Sequence, residues 1–436
     1  MYLKRRIDSE LLNWSRETPR KPLLLRGARQ VGKSSSVREL AKQFDFFLEI
    51  NFEEHRNVHR LFEGDLSPQA LCENLSIMYN IPVKDGKTLI FFDEIQACVS
   101  AISSLRFFYE KLPGQHVIAA GSLLEFVLGD LPSFGVGRIR SIFLYPFSFN
   151  EFLSACGEDL LIKAKMKSSF EFPLPEPIHK KLLGYFKKFL ILGGMPEVIA
   201  GYIQGTDLAE CQRILDDLLI SLKADFAKYR KRVPMLRISE VFESAVQQVG
   251  NKFKYARVDS ESNHKQIKEA LDLLMMAGLI IPVTHTSANG IPMGAEADFK
   301  MRKILVFDTG VFQRLSGLNI KNVLFEENFD PVNKGNIAEL FVGLEILKAS
   351  SCYQQQALYY WHRESLNSNA EVDYLINKDQ DIIPVEVKSG TKGSMQSLFL
   401  FLKEKRRPYG IRFSWENFSS YGQIRSYPIY SVSEII

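Results

Sequence analysis

The sequence predicts an α/β chain of several domains, and three features carry that prediction. Pro22 to Ser36, reading PLLLRGARQVGKSSS, sets a short apolar strand before a glycine-bounded loop and a helix. Thr88 to Glu94, reading TLIFFDE, is a buried strand that stops at two carboxylates. Ile382 to Lys388, reading IIPVEVK, is another strand, far along the chain, with an acid and a base on alternate positions. A length of 436 residues corresponds to about three domains.

Gly27, Ala28, Arg29, Gln30, Val31, Gly32, Lys33 and Ser34 form the pattern GxxxxGK[ST], a Walker A loop, and Ser35 continues it. Leu23 to Leu25 read as a buried parallel strand before it, and Val37, Leu40, Ala41 and Phe44 as the apolar face of a helix after it. The glycines let successive N–H groups turn toward phosphate oxygens, and the helix opening at Lys33 adds partial positive charge. Lys33 is expected to reach the β- and γ-phosphates of ATP, and Ser34 to offer its hydroxyl to Mg²⁺.

Phe46 to Asn51 reads as a second strand, and a polar stretch of helical periodicity follows to Asn80. Asp93, ending the strand Thr88 to Asp93, is the expected Walker B ligand of Mg²⁺, and Glu94 the group that orients and deprotonates the attacking water. Ala101 to Leu112 is expected to be helical. His116 to Ser122, reading HVIAAGS, is a further buried strand, whose Ser122 would sense the γ-phosphate or position the water. Arg138 and Arg140 follow a loop rich in Gly and Pro. Either is a candidate arginine finger, although structural salt bridges account for most arginines.

Composition excludes several classes. Apolar residues make up 46% and charged residues 24%, ordinary for a globular chain and unlike a disordered or fibrous one. The N-terminus, MYLKRRIDSELLNW, lacks the apolar stretch of a signal peptide, and no run approaches the ~18 apolar residues of a membrane span. Cytoplasmic residence without a membrane partner is expected. Cys72, Cys98, Cys156, Cys211 and Cys352 are scattered and never spaced as CxxC, so buried free thiols are expected rather than disulfides or a zinc site. The balance of 55 basic to 51 acidic residues does not imply nucleic-acid binding by itself. Short basic patches at Lys228 to Arg232 and Lys403 to Arg407 read as solvated helix faces.

Taken together, Gly27 to Ser34, Asp93-Glu94, Ala120-Gly121-Ser122, and Gly137-Arg138 leading into Tyr145-Pro146-Phe147-Ser148-Phe149-Asn150-Glu151-Phe152 resemble the prokaryotic AAA-type ATPases that carry a C-terminal domain of unknown function. Gly193-Gly194-Met195-Pro196 matches that family's GGxP signature. The resemblance makes Pro196 a candidate contact for the adenine base, while a Gly-Gly turn ending a helix is the alternative.

Residues 1–150 are therefore expected to form the ATPase domain and 151–235 a helical lid, with Leu182, Leu183, Phe186, Phe189 and Leu190 as one apolar stripe and Leu215, Leu218, Leu219 and Leu222 as another. Phe172 to Pro177 reads as a linker. Within 236–300, two helices and a strand at Leu279 to Val283 suggest a winged helix, which the resemblance also implies. Lys265 and Lys268 on its second helix would suit a DNA backbone, and an interdomain packing module is the alternative.

Residues 301–436 hold a second constellation. Glu339 lies on a helix, Asp373 on a strand, and Glu386 and Lys388 on one face of the next strand. Metal-assisted phosphodiester cleavage uses such a set, with Glu339, Asp373 and Glu386 holding Mg²⁺ and Lys388 activating water. It resembles the PD-(D/E)XK nuclease fold, a restriction-endonuclease-like α/β domain, except that Val372 replaces the proline before the first Asp. Two classes of function stay open: an ATPase that couples turnover to DNA binding or cleavage, and a nucleotide-switched binding protein whose nuclease-like domain is inactive. ATP is the expected ligand, with DNA and a second copy of the chain as candidate partners.

Overall fold

Arg6–Ser15 (α1) opens the computed structural model, which describes residues 1–64, 66–122, 124–130, 137–229, 233–258, 264–317, 334–363, 369–389 and 395–436. Asp8 in its first turn accepts a hydrogen bond from the Arg5 N–H at 2.7 Å, as acidic residues near a helix start do. Trp14 is fully buried and donates from Nε1 to the Lys21 carbonyl at 2.8 Å, so the indole's one polar group is satisfied.

Then follow Leu23–Arg26 (β1), Lys33–Ala41 (α2), Phe46–Asn51 (β2), Pro68–Tyr79 (α3), Thr88–Asp93 (β3), Val99–Lys111 (α4), His116–Ala120 (β4), Leu124–Asp130 (α5) and Arg140–Phe143 (β5). The five strands make one sheet in the order β2-β3-β4-β1-β5, and every pairing is parallel. β3 and β4 are buried along their whole lengths, which is why both read as unbroken apolar runs. Leu24, Leu48, Ile50, Phe52, Ile90 and Phe92 pack with Leu71, Leu75, Leu105 and Phe108, each contributing roughly 1.5–3 kcal/mol by leaving water.

Met1–Tyr145 with Cys352–Gln355 form one unit, and Pro146–Ser351 with Gln356–Ile436 the other. The second begins with the helices Phe149–Ala155 (α6), Asp159–Lys167 (α7), Glu176–Leu192 (α8), Pro196–Ile203 (α9) and Leu208–Asp225 (α10). Ser148 and Glu151 form a reciprocal cap on α6, so Ser-Phe-Asn-Glu is a helix start signal in its own right. Next come Met235–Gln247 (α11), His264–Met276 (α12), Ile280–Thr286 (β6), Ala297–Val306 (β7), Thr309–Leu315 (α13) and Lys334–Ala349 (α14). The chain ends with Leu358–His362 (β8), Glu371–Lys378 (β9), Asp381–Val387 (β10), Gln396–Lys405 (α15), Gly410–Ser414 (β11), Ser419–Tyr421 (β12), Ile424–Pro428 (β13) and Val432–Ile435 (α16).

The second unit's sheet runs β12-β13-β11-β10-β9-β8-β6-β7. α11, α12 and the β6-β7 hairpin give the helix-helix-strand order read from the sequence, but the hairpin is no separate wing. β6 lends its other edge to β8 in parallel register, Val283 opposite Leu358. The boundary expected at 300/301 falls inside β7, and that at 235/236 lies within the second unit. No helix of the described residues is long and apolar enough to cross a membrane. The five cysteines are free, as their spacing suggests. Of the basic patch at Lys228 to Arg232, residues 230–232 lie outside the described residues.

Gly193 and Gly194 are explained within the second unit. Gly193 has φ +74°, and a Cβ there would overlap the Asp308 carboxylate. The fully buried Asp308 accepts from the Gly194 N–H at 2.6 Å and, as the cap of α13, from the Val311 N–H at 3.0 Å. Pro196 occupies the first turn of α9, where its missing N–H costs nothing. Asp308→Ala should destabilise the second unit by roughly 3–5 kcal/mol by orphaning these buried donors, lowering Tm by about 10 °C. Asp308→Asn, which keeps an acceptor oxygen, should lose less. Calorimetry in which Asp308→Ala melts with the wild type would contradict this role.

Candidate functional site

In the first unit the Walker A residues close a loop between β1 and α2. Gly27 has φ +139°, and a Cβ there would collide with the Leu144 carbonyl oxygen; Gly32, at φ +96°, caps α2. Both conformations favour glycine. Ala28 and Val31 are buried, and the Val31 carbonyl accepts from Arg5 at 3.1 Å, anchoring the loop from below. Arg29 is half-buried and Gln30 exposed, while Ser35 lies exposed on the first turn of α2.

Lys33 is only 8% exposed, and its Nζ donates to the carbonyls of Gly27 at 2.9 Å and Ala28 at 2.8 Å. Burial pushes the ammonium down to about 8, against the pull of the Glu94 and Asp93 carboxylates. A bound polyphosphate would restore the charge that burial disfavours. Ser34 Oγ donates to Asp93 Oδ2 at 2.8 Å, so the Walker A hydroxyl and the Walker B carboxylate converge on one spot. Burial raises the Asp93 carboxyl, and the Ser34 hydroxyl opposes that shift. A hydroxyl and a carboxylate side by side form the oxygen donor set that Mg²⁺ prefers, and these residues fit the ion.

Glu94 adopts the left-handed conformation, φ +47°, and its N–H donates to Asp93 Oδ1 at 3.0 Å. Such backbone strain in a side chain with a Cβ costs about 1 kcal/mol or more and concentrates at functional sites. Gln96 Nε2 donates to Glu94 Oε2 at 2.5 Å and Ser122 Oγ to the same oxygen at 3.4 Å. Ser122, expected to sense the γ-phosphate or position the water, thus stands beside Glu94. Gln96 was not legible as a partner, since nothing in its spacing distinguishes it from other polar residues of a loop.

Arg138 and Arg140 are placed elsewhere. Arg140 pairs in register with Leu23, the first residue of β1, at the sheet end opposite Gly27, and its guanidinium meets Glu17 at 2.5 Å. Arg138 pairs with Glu110 at the C-terminal end of α4, and that helix runs back toward the same end. The finger role expected for Arg138 is therefore not served on the chain's own nucleotide loop, because both arginines sit at the starts of the strands and the Walker residues at their ends.

The second constellation assembles in the second unit. Lys388 Nζ lies 2.5 Å from Glu386 Oε1, confirming that the two share a face. Asp373 stands one rung beyond the Tyr374–Val385 pair of β9 and β10, opposite Glu386, and its Oδ2 accepts from the Val387 N–H at 2.8 Å. Glu339 on α14 joins them through a residue the sequence did not single out. Lys303 on β7 places its Nζ 2.8 Å from Glu339, 2.5 Å from Glu371 and 3.5 Å from Asp373. Burial opposes the Lys303 charge, but Glu339, Asp373 and Glu371 outweigh it and hold the ammonium protonated. Burial also raises Glu339 and Glu386, the latter further through Asp373.

Among the described residues no group of His, Cys, Asp or Glu is arranged to hold a metal ion. The metal role expected for Glu339, Asp373 and Glu386 does not fit this arrangement, because an ammonium stands among the carboxylates. A separate open cavity of about 850 Å³ is lined by Leu219, Lys223, Glu243, Phe312 and Arg314. It coincides with neither group, and its charges are already paired as Arg314–Asp216 and Lys223–Glu243.

Residues 19–153 match a family model described as an AAA domain. Residues 183–322 and 334–432 match two models described as domains of unknown function, DUF8612 and DUF4143. No curated protein matches the chain. Among solved structures it is similar to the Walker-type ATPase PABY2304 of Pyrococcus abyssi, at 16% identity over 72% of this chain and 96% of that one, with a TM-score of 0.47. It is also similar to the ORC1 protein of Aeropyrum pernix, in complex with DNA, at 12% identity over 74% of this chain and 95% of that one, with a TM-score of 0.25.

Proposed function

We propose, on the premise that residues 19–153 are an AAA-type ATPase domain, that the chain hydrolyses ATP in a Mg²⁺-dependent manner and uses the cycle as a switch. The observation that carries this is the convergence of Lys33, Ser34, Asp93 and Glu94 at the ends of two parallel strands. In this reading the loop N–H groups and Lys33 hold the phosphates, and Lys33 offsets charge that grows on the phosphoryl oxygens. Ser34 and Asp93 hold Mg²⁺, which when bound supplies further positive charge to the same oxygens. Glu94 accepts the proton of the attacking water, and Ser122 and Gln96 fix its carboxylate.

For the second unit, docking is favoured over cleavage by the Lys303 ammonium among the carboxylates. Exposed Lys265 and Lys268 on α12 are the surface proposed to meet a duplex backbone, where each would displace counterions. A finger role for Arg138 or Arg140 is proposed only toward the nucleotide of a second copy.

Purified chain supplied with ATP should release phosphate in Mg²⁺, and EDTA should stop the release. A rate indistinguishable with and without EDTA would remove the proposal.

A further inference from the structure

Three carboxylates are drawn together around a cationic side chain of the protein itself. Glu339 from α14, and Glu371 and Asp373 from β9, converge on Lys303 Nζ. That side chain is 1% exposed and packs 5.4 Å from the Tyr360 ring centroid. Carboxylates so close repel one another unless a cation lies between them. A buried ion pair persists when geometry and further hydrogen bonds compensate its lost hydration. Asp373 receives such support, its Oδ2 accepting from the Val387 N–H at 2.8 Å, while Tyr374 holds the α14 backbone by donating its hydroxyl to the Glu339 main-chain carbonyl at 2.8 Å.

Backbone closes over the cluster from the α11 side. Lys252 bridges to Lys303 along the outer edge of β7, and the Phe253 N–H donates to the Arg302 carbonyl at 2.9 Å. Gly250, at φ +78°, lies so near that a Cβ there would be 3.3 Å from Glu339 Oε2. The segment that follows α11 is thus pressed against both the lysine and the first carboxylate.

We propose that Lys303 is the resident cation of this cluster, so that the second unit takes no divalent metal there, and that an uncharged side chain at 303 turns the same carboxylates into a divalent-cation site. The ammonium supplies one positive charge to three carboxylates; without it their oxygens form a hard donor set of the type Mn²⁺ and Mg²⁺ bind. This inference stands apart from the nucleotide reading, since every residue in it belongs to the second unit.

The test is Mn²⁺ binding by the full chain, read as loss of the free Mn²⁺ spin-resonance signal. Asp93→Asn is introduced throughout to remove the nucleotide-site carboxylate. The chain with Lys303 should bind no Mn²⁺ that depends on Asp373. Lys303→Met should gain one Mn²⁺ per chain, lost again on adding Asp373→Asn. Mn²⁺ at about a hundredfold excess over its Kd should also raise the Lys303→Met melting temperature by roughly 5 °C or more, and leave the Lys303 chain unmoved. Asp373-dependent Mn²⁺ binding with Lys303 in place overturns the proposal, as does a folded Lys303→Met chain that binds none. Should Lys303→Met not fold, Lys303→Gln carries the same arms, and the Lys303 chain alone still decides the first claim.

Discussion

Lys33→Ala is expected to weaken MgATP binding about 100-fold or more, some 3 kcal/mol. Among the described residues the buried ammonium has the Gly27 and Ala28 carbonyls as its hydrogen-bond partners, and a phosphate is the stronger acceptor for a charged donor. The substitution removes that charge from a site where burial already disfavours it, so the loss should fall on phosphates rather than on the fold. Thermal stability without nucleotide should change little or rise. Titration calorimetry with MgATP checks the affinity, and equal affinity in Lys33→Ala and wild type would detach the loop from nucleotide binding.

The contrast between the two groups of residues shows what a sequence makes legible. The nucleotide loop is local: its glycine conformations, its lysine and the strand before it lie within Leu23 to Ser36, and β3 announces itself by an unbroken apolar run. Glu386 and Lys388 are equally local, two positions apart on one strand, and the structure joins them. Lys303 is different. It arrives from a strand that reads as an ordinary run of alternating charge, Lys300, Arg302 and then Ile304 to Val306, and reaches Glu339 and Glu371 only because β6 crosses to pair with β8. That pairing has no signature in either strand, so neither the lysine nor the continuous sheet could be read in advance.

Gly193-Gly194-Met195-Pro196 illustrates a motif visible in sequence whose partner is not. The turn and the helix start were legible, yet the side chain that Gly193 accommodates and to which the Gly194 N–H donates is Asp308, brought in by tertiary folding. The arginines of Gly137 to Arg140 were visible too, but only strand register reveals that Arg140 stands beside Leu23, at the wrong end of the sheet for its own nucleotide.

The central claim is that Glu94 activates water at a nucleotide held by Gly27 to Ser34 and Asp93. Glu94→Gln keeps the side chain's size and its capacity to accept from Ser122 while removing the base, and general-base loss typically slows a reaction about 100-fold or more. The most direct measurement is single-turnover phosphate release from radiolabelled MgATP, with bound nucleotide counted on the same samples. The Glu94→Gln chain should hold ATP as fully as wild type and release phosphate at least ~100-fold more slowly. Phosphate release by Glu94→Gln at the wild-type rate, with ATP bound, would contradict the account.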